Sequence, residues 1–485
     1  MTYSLHALSV SAGRLGLAVL LASSAMAAQA VTPAAKSPQA LPSSVIPTVP
    51  SLTPEQARVL DRMKIILVPD GQGGQIPTLE ITGVNVRIVN GLGATDTING
   101  RGNLIVGYNE IGNPNGDDRT GSHNIVTGQQ NSFSSYGGLV AGQRNTISGA
   151  WSSVSGGVSN TASGNLSSIS GGSLNTAYGY ACSVSGGYIN TASGSGSSVS
   201  GGSHNEANGY HSSVSGGHGN ETGGQNATIS GGDNNTASEA FSSVSGGKDN
   251  TADGLWSSVS GGYQNMASGL ASSVSGGKSN WAMKVGDGLW TLESTSVCGG
   301  LGNISANNFA SVSGGYMNTA SGARSSVSGG RDNTASGPDS SVSGGRGNTA
   351  SGDRSSVSGG SINVASGTYA SVSGGQGNMA SGPYASVSGG MGNTASNSAA
   401  SVSGGFTNTA SGDRSSVSGG RSSEASGTSS SVSGGNSNTA SDYFSSVSGG
   451  KSNTASGSGS SVSGGYIRSA TGTNNWTAGS LFQDN

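Results

Sequence analysis

One 15-residue word repeats across most of this chain. At residues 183–197 it reads SVSGGYINTASGSGS, and its valine, or isoleucine in its place, recurs every 15 residues from Val154 to Val274. The step widens once, to 23 residues, at Val297, then returns to 15 as far as Val462, which gives 21 modules. Self-similarity at a short fixed period predicts a solenoid, in which each repeat packs only on its neighbours.

The chemistry of one module predicts which side chains point inward. Counting from the valine as position 0, position −2 is Ser, Ala, Thr or Cys, position +8 is nearly always Ala, and positions −1 and +1 are almost always Ser. Side chains alternate between the two faces of a strand. We therefore expect positions −2, 0 and +8 to form the core and the serines at −1 and +1 to form an outer hydroxyl face.

Glycine and asparagine complete the module. The Gly-Gly after SVS and the glycine of TASG fall where the chain has to turn, and glycine reaches positive φ without steric cost. Position +6 is Asn in most modules, so the amides at this corner are predicted to stack as a ladder. The expected fold is all-β, a parallel β-solenoid of about 21 turns with two short strands, S-S-V-S and N-T-A-S, per turn.

The S-V-x-x-G and A-S-G words at this spacing resemble the head repeats of trimeric autotransporter adhesins. The resemblance covers about residues 138–472. It implies a left-handed β-roll, a homotrimer of three packed rolls, and adhesion at a bacterial cell surface. No heptad stalk and no membrane-anchor strands are visible in the sequence, so we expect only the head module of that family.

Composition limits the other classes of protein. The chain has 88 glycines, 9% charged and 5% aromatic residues, too few large apolar side chains for ordinary globular domains of this length. Its net charge is −3 and it has no basic block, so we expect no nucleic-acid binding. Cys182 and Cys298 lie more than seven turns apart, too far for an intrachain disulfide. Cys182 is predicted to fill the core and Cys298 to point outward.

The chain divides into six segments. Residues 1–30 have the pattern of a secretory signal peptide, and no further stretch is long and apolar enough to span a membrane. We expect a protein secreted to the outside of a bacterial cell. The predicted segments are a signal peptide (1–30), a flexible linker (31–52), an N-terminal cap with a helix from Thr53 to about Met63 (53–100), irregular β-roll turns (101–150), the regular solenoid (151–472), and a C-terminal cap or tail (473–485).

No catalytic, cofactor or metal site is evident. His204, His211 and His218 are spaced by seven, which places His204 and His218 at one corner and His211 near the opposite one. Asp117 and Asp118 are expected in a solvated turn. Phosphate-loop and HExxH motifs are absent from the sequence. We expect no enzymatic activity and no cofactor.

The variable positions at the corners are the candidates for binding. They form two stripes rich in Tyr, Arg and Asp, and repeated weak contacts along them would add up through avidity. The insertion 281–294 is either a binding loop or a bulge folded back on the solenoid. The candidate residues for a host or surface glycan or protein ligand are Tyr188, Trp281, Trp290, Arg354, Tyr384 and Arg414.

Two functions fit these features. The first is an adhesive rod, which we expect to be a homo-oligomer, with a trimer favoured. The second is an ice-binding solenoid that uses the Ser-Val-Ser face, because this face presents hydroxyls in ranks at strand spacing. The serines of this face would be equally constant if the face were buried between subunits. The sequence therefore does not distinguish the oligomeric adhesive rod from the ice-binding solenoid.

Overall fold

The structure is a computed structural model that describes residues 52–283 and 294–479. The predicted signal peptide, nearly all of the linker, Trp290 and the last six residues lie outside the described residues. The chain separates into an N-terminal unit up to Val86 and the solenoid from Arg87.

The N-terminal unit contains a short helix and a β-hairpin. Helix α1 spans Pro54–Leu60, and Thr53 caps it in a reciprocal capping box with Gln56. Strand β1, Met63–Pro69, pairs antiparallel with β2, Gln75–Ile81. The prediction that the helix reaches Met63 is wrong, since that residue already begins β1.

The solenoid consists of parallel strands in two columns. Each regular turn contributes one two-residue strand at positions −1 and 0, from Ser153–Val154 to Ser461–Val462, and one at +7 and +8, from Thr161–Ala162 to Ser469–Ala470. The second column holds 23 strands, so the array has about 23 turns and the predicted fold class is confirmed. The strands that depart from this rule are Leu104–Val106, Ile125–Gln129, Ser132–Phe133, Leu139–Gln143, Thr146–Ile147, Trp281–Met283, Ile304–Ala306 and Trp476–Thr477.

Every turn pairs in register with the next. Val154 lies opposite Ile169 and Thr161 opposite Thr176, so equivalent positions form straight columns. Position +4 forms a third column of single parallel bridges that runs from Gln143 to Tyr466. Each turn is therefore joined to its neighbours at three places rather than the two that the sequence predicts.

The core holds the residues expected from the alternation of side chains. The position 0 valines and the +8 alanines are almost completely buried, and Ser152 at −2 is buried with them. Ser155 at +1 is exposed, as predicted for the hydroxyl face. Cys182 lies in the core and Cys298 is exposed, each on the predicted side.

The asparagines at +6 form a ladder, but its geometry differs from stacked corner amides. Asn318 is fully buried, and its Oδ1 accepts the backbone N–H of Asn333 in the next turn at 3.0 Å. Its Nδ2 donates to the carbonyls of Gly314 and Gly330, at 2.8 and 3.0 Å. The ladder thus joins side chain to backbone, and it satisfies buried groups in three places at once.

The second glycine of the Gly-Gly pair has the positive φ predicted for it, as at Gly187 (92°), but residues other than glycine also adopt the turn conformation. Two positions per turn, +5 and −3, have left-handed φ in most turns, yet they carry Ile189 (54°), Trp256 (57°) or Arg354 (54°) rather than glycine. In contrast, the glycine of TASG, such as Gly337, is not in the left-handed region. A Cβ there would lie 2.1 Å from the carbonyl oxygen of Gly352, so close approach between turns requires this glycine.

The C-terminal segment continues the array. Trp476–Thr477 pairs with Ser461–Val462 in the valine column, so this part of the predicted tail is one more turn. The indole Nε1 of Trp476 donates to Ser463 at 2.8 Å. The final residues that were expected to cap this turn lie outside the described part of the chain.

The buried hydroxyls at −2 are dispensable where they lack a partner. The Oγ of Ser355 is buried and has no hydrogen-bond partner among the described residues, and later turns carry Ala370 and Ala385 at the same position. We expect Ser355→Ala to leave the free energy of unfolding unchanged or to raise it by up to about 1 kcal/mol. Ser152→Ala is the control, because the Oγ of Ser152 donates to Gly149 at 2.7 Å and its loss should cost about 1 kcal/mol. Urea unfolding monitored by circular dichroism measures both, and a large loss with Ser355→Ala would contradict this.

Asp253 makes stability depend on pH. Burial raises the pKa of its carboxyl above the ordinary value, with a smaller contribution from the charge of Glu239, and its Oδ1 has no partner among the described residues. The folded state therefore holds a proton that the unfolded state has lost, and stability falls as pH rises through the window between the ordinary and the raised pKa. Asp253→Ser, which restores the serine common at this position, should raise the unfolding temperature at pH 7, and the gain should vanish below the ordinary pKa. A gain that persists at low pH would contradict this assignment.

Candidate interaction surface

The described candidate residues occupy three different columns of the rod. Arg354, Tyr384 and Arg414 share the −3 corner, Tyr188 belongs to the +4 column, and Trp281 projects from the +7 strand with 42% of its surface exposed. The structure therefore brings three of them onto one corner and places the others on separate sides. Trp290 lies outside the described residues.

The −3 corner carries a continuous run of interacting side chains. The guanidinium of Arg324 forms a two-point hydrogen bond with Asp339, at 2.5 and 2.8 Å. Arg354 lies over the ring of Tyr369, 5.1 Å from its centroid, and this ring stacks on Tyr384 with centroids 5.0 Å apart. Tyr369 is not among the residues predicted from the sequence, although the period places it one turn from both Arg354 and Tyr384.

Opposite charges balance each other at the −3 corner. The hydrogen bond from Arg324 lowers the pKa of Asp339, and Arg354 adds to this effect. Arg414 lies 3.8 Å from Asp413. Because each of these arginines has a carboxylate within 4 Å, the corner presents ordered aromatic and guanidinium surfaces with little net charge.

The earlier turns of the +4 column contain a polar and aromatic group that also includes His204 at position +5. The ring of Tyr188 packs edge-on against His204 at 5.6 Å, and His204 lies 5.4 Å from His218. Asp233 binds both His218 and Lys248, at 3.0 and 2.8 Å, and the bond from Lys248 lowers the pKa of that carboxyl first, His218 second. Within the described ranges, no group of three or more His, Cys, Asp or Glu residues is placed to hold a metal ion.

Further along, the +4 column contains four pairs of a cation and an aromatic ring. The two members of each pair lie in adjacent turns, with the charged group 5.1–5.5 Å from the ring centroid. From Lys248 to Lys451 the column contains six lysines and arginines and no acidic residue. The pairs are Lys278 with Tyr263, Arg331 with Tyr316, Arg421 with Phe406, and Lys451 with Tyr466.

The Ser-Val-Ser face is the most uniform surface of the rod. Its serines at −1 are partly exposed and those at +1 are exposed, as shown by Ser356 and Ser358. Within the regular turns only Thr228 and Cys298 replace serine at these positions. The face is therefore a regular array of hydroxyl groups without large or charged side chains.

The hairpin of the N-terminal unit has one apolar face. The strand register places Met63, Ile65 and Leu67 of β1 opposite Ile81, Leu79 and Pro77 of β2 on the same side. The side chain of Ile65 is 66% exposed and that of Leu79 is 51% exposed. Next to this face lies an open cleft of about 880 Å³, lined by four charged or polar residues and by Val59, Met63, Ile81, Val84 and Val86. Within the described residues this apolar face is largely exposed.

Comparison with known proteins found no family model that matches this sequence and no curated protein that is significantly similar to it. Across the described ranges, no helix has the length and apolar character needed to cross a membrane. The fold is a repetitive β-solenoid, an architecture typical of structural proteins. The surface of the solenoid consists of long columns in which the same position of the repeat recurs at every turn.

Proposed function

We propose that this chain is the rod-like head of a secreted or cell-surface adhesive protein. The observation that carries the proposal is that exposed corner positions repeat in straight columns. Within a column, successive turns are about 4.8 Å apart. A surface that offers equivalent ligands binds many such positions at once, and avidity makes weak single contacts useful. The likeness of the repeat to adhesin heads and the secretory signal pattern in residues 1–30 support the same function.

The proposal includes assembly into a homo-oligomer, with a trimer favoured by the resemblance. Two surfaces of the chain support assembly. The apolar hairpin face with Ile65 and Leu79 is uncovered within the described chain, and a second copy offers an identical apolar face. The constant Ser-Val-Ser face has only small side chains, which permit close packing of rods.

Adhesion is tested with beads that carry the purified protein. Beads coated at equal density are allowed to settle on host-cell layers and on glycan-coated or protein-coated glass, and the fraction retained under flow is counted. We expect the wild-type protein to hold beads, and the triple variant Arg354→Ser, Tyr384→Ser, Arg414→Ser to reduce retention on at least one surface. Retention no greater than that of uncoated beads on every surface would contradict an adhesive function.

Ice binding is the second candidate. The observation that favours it is the array of exposed serine hydroxyls at −1 and +1, which holds the same spacing over more than 20 turns. Thermal hysteresis of the purified protein distinguishes the two functions. Activity that Ser356→Tyr and Ser341→Tyr abolish would establish ice binding by this face, whereas no hysteresis from monodisperse protein would remove the candidate.

A further inference from the structure

We propose that the +4 column between Lys248 and Lys451, here called the cationic column, binds a linear acidic polysaccharide. This inference rests on the proposed adhesive function and specifies a class of ligand for one corner of the rod. The column spans 13 turns, about 60 Å at the spacing of parallel strands. Such a straight, narrow site fits an extended polymer better than a small molecule or a globular protein.

Charge complementarity identifies the polymer as an anion. The chain as a whole has a net charge of −3, yet this column holds six cationic residues and no acid. Lys248 and Arg331 lie beside Asp233 and Asp332. The other four cations have no carboxylate within ion-pair distance among the described residues, and all four are exposed: Lys278, Arg346, Arg421 and Lys451. The −3 corner, where arginines are paired with Asp339 and Asp413, lacks this excess.

The aromatic rings position the cations rather than the ligand. The guanidinium of Arg421 lies 5.3 Å from the ring centroid of Phe406, and Lys451 lies 5.5 Å from that of Tyr466. A cation held over a ring loses less conformational entropy when it binds an anion, and it keeps its charge. These ring faces are occupied by neighbouring cations, so they offer little surface for stacking nucleic-acid bases.

The spacing of the charges favours a polysaccharide over a nucleic acid. Successive cations from Lys248 to Lys451 are two, three, one, five and two turns apart, so their charges are separated by about 12 Å along the rod on average. A nucleic-acid strand carries one phosphate every ~3.4 Å, far denser than the column. A polysaccharide with one carboxylate on every second sugar has a sparser charge that the column matches more closely.

The test is a titration of the full-length protein with hyaluronan, whose chain carries one carboxylate per disaccharide. Binding is measured by fluorescence anisotropy of labelled hyaluronan between 25 and 200 mM NaCl, with neutral dextran and single-stranded DNA as competitors. We expect salt-sensitive binding that DNA displaces less well than unlabelled hyaluronan and dextran does not displace. In the triple variant Arg346→Ser, Arg421→Ser, Lys451→Ser the affinity at 25 mM NaCl should fall by roughly tenfold and depend less on salt, because three exposed ionic contacts are lost. Ser361 and Gln376 already occupy this column, so the fold tolerates small polar residues there.

A matched control removes the same charge elsewhere. Arg58→Ser, Arg87→Ser, Arg101→Ser lowers the net charge equally at exposed positions outside the column and should leave both affinity and salt slope unchanged. No hyaluronan binding at 25 mM NaCl, or equal loss in both triple variants, would overturn the proposal. Tighter binding to DNA than to hyaluronan would assign the column to nucleic acid instead. Bead retention on surfaces free of acidic glycans reports on adhesion separately, so failure of this site and failure of the adhesive function can be told apart.

Discussion

Gly375→Ala should disrupt the solenoid around its turn and cost at least about 3 kcal/mol of local stability. Gly375 has a φ of +86°, and a Cβ on it would lie 2.1 Å from the carbonyl oxygen of Gly390 and 2.4 Å from Nδ2 of Asn378. Both atoms are fixed by the contacts between turns, so relief requires the turns to separate. Hydrogen exchange of backbone amides, read by mass spectrometry on peptides covering the two neighbouring turns, should show protection lost there.

Gly377→Ala is the matched control, two residues away in the same turn. Gly377 also has positive φ, +63°, but its Cβ would meet no atom within 4 Å. Left-handed φ alone costs an alanine ~1 kcal/mol, and the restricted unfolded chain offsets part of that. We expect near-normal hydrogen exchange in this variant. Equal damage from the two substitutions would show that φ, and not the close approach of turns, makes the Gly375 position specific for glycine.

Asn318→Ala should lower local stability by about 3 kcal/mol. The substitution removes the acceptor of the Asn333 N–H and the donors to Gly314 and Gly330, all within a fully buried column. A buried donor without a partner costs ~1–3 kcal/mol, and each lost hydrogen bond adds to this. Amide exchange at Asn333 and urea unfolding measure the effect. Protection equal to wild type at Asn333 would contradict the proposed role of the ladder.

The chain contains a natural gap in the ladder, which allows the reverse experiment. Ser423 replaces asparagine at +6, and its Oγ accepts the N–H of Asn438 at 3.4 Å, longer than the 3.0 Å seen for Asn333. Ser423→Asn should complete the ladder and raise stability by about 1 kcal/mol. A loss of stability in this variant would show that the column is adapted to the shorter side chain at this turn.

The period and the alternation of side chains were sufficient to predict the main features of the fold. Because a strand has a period of two, the SVS word alone indicated that Val154 is inside and Ser155 outside, and one module predicted all others. The corners were harder to predict. Ile189 and Trp256 have left-handed φ, a conformation that side chains of these types disfavour. The hydrogen bonds between turns impose it on whichever residue occurs at these positions.

The candidate surface could be predicted only in part. The sequence identified variable corner stripes, and three of its six candidate residues share the −3 corner. It missed Tyr369, and it did not separate the balanced charges of that corner from the unbalanced charge of the cationic column. That distinction depends on which carboxylate lies near each cation, as for Arg324 and Asp339, and a one-dimensional pattern does not give those distances. The apolar hairpin face likewise became evident only from the register of β1 and β2.

The claim that this rod is the head of an oligomeric adhesin is tested most directly by the mass of residues 31–485 in solution. Light scattering coupled to size exclusion measures it on protein purified without the signal segment. We predict a homotrimer with three times the mass of one chain, and conversion to smaller species when the apolar hairpin face is made polar by Ile65→Asp and Leu79→Asp. A monodisperse monomer at micromolar concentration would contradict the claim, leave the hairpin face and the Ser-Val-Ser face open to water, and make thermal hysteresis the decisive assay.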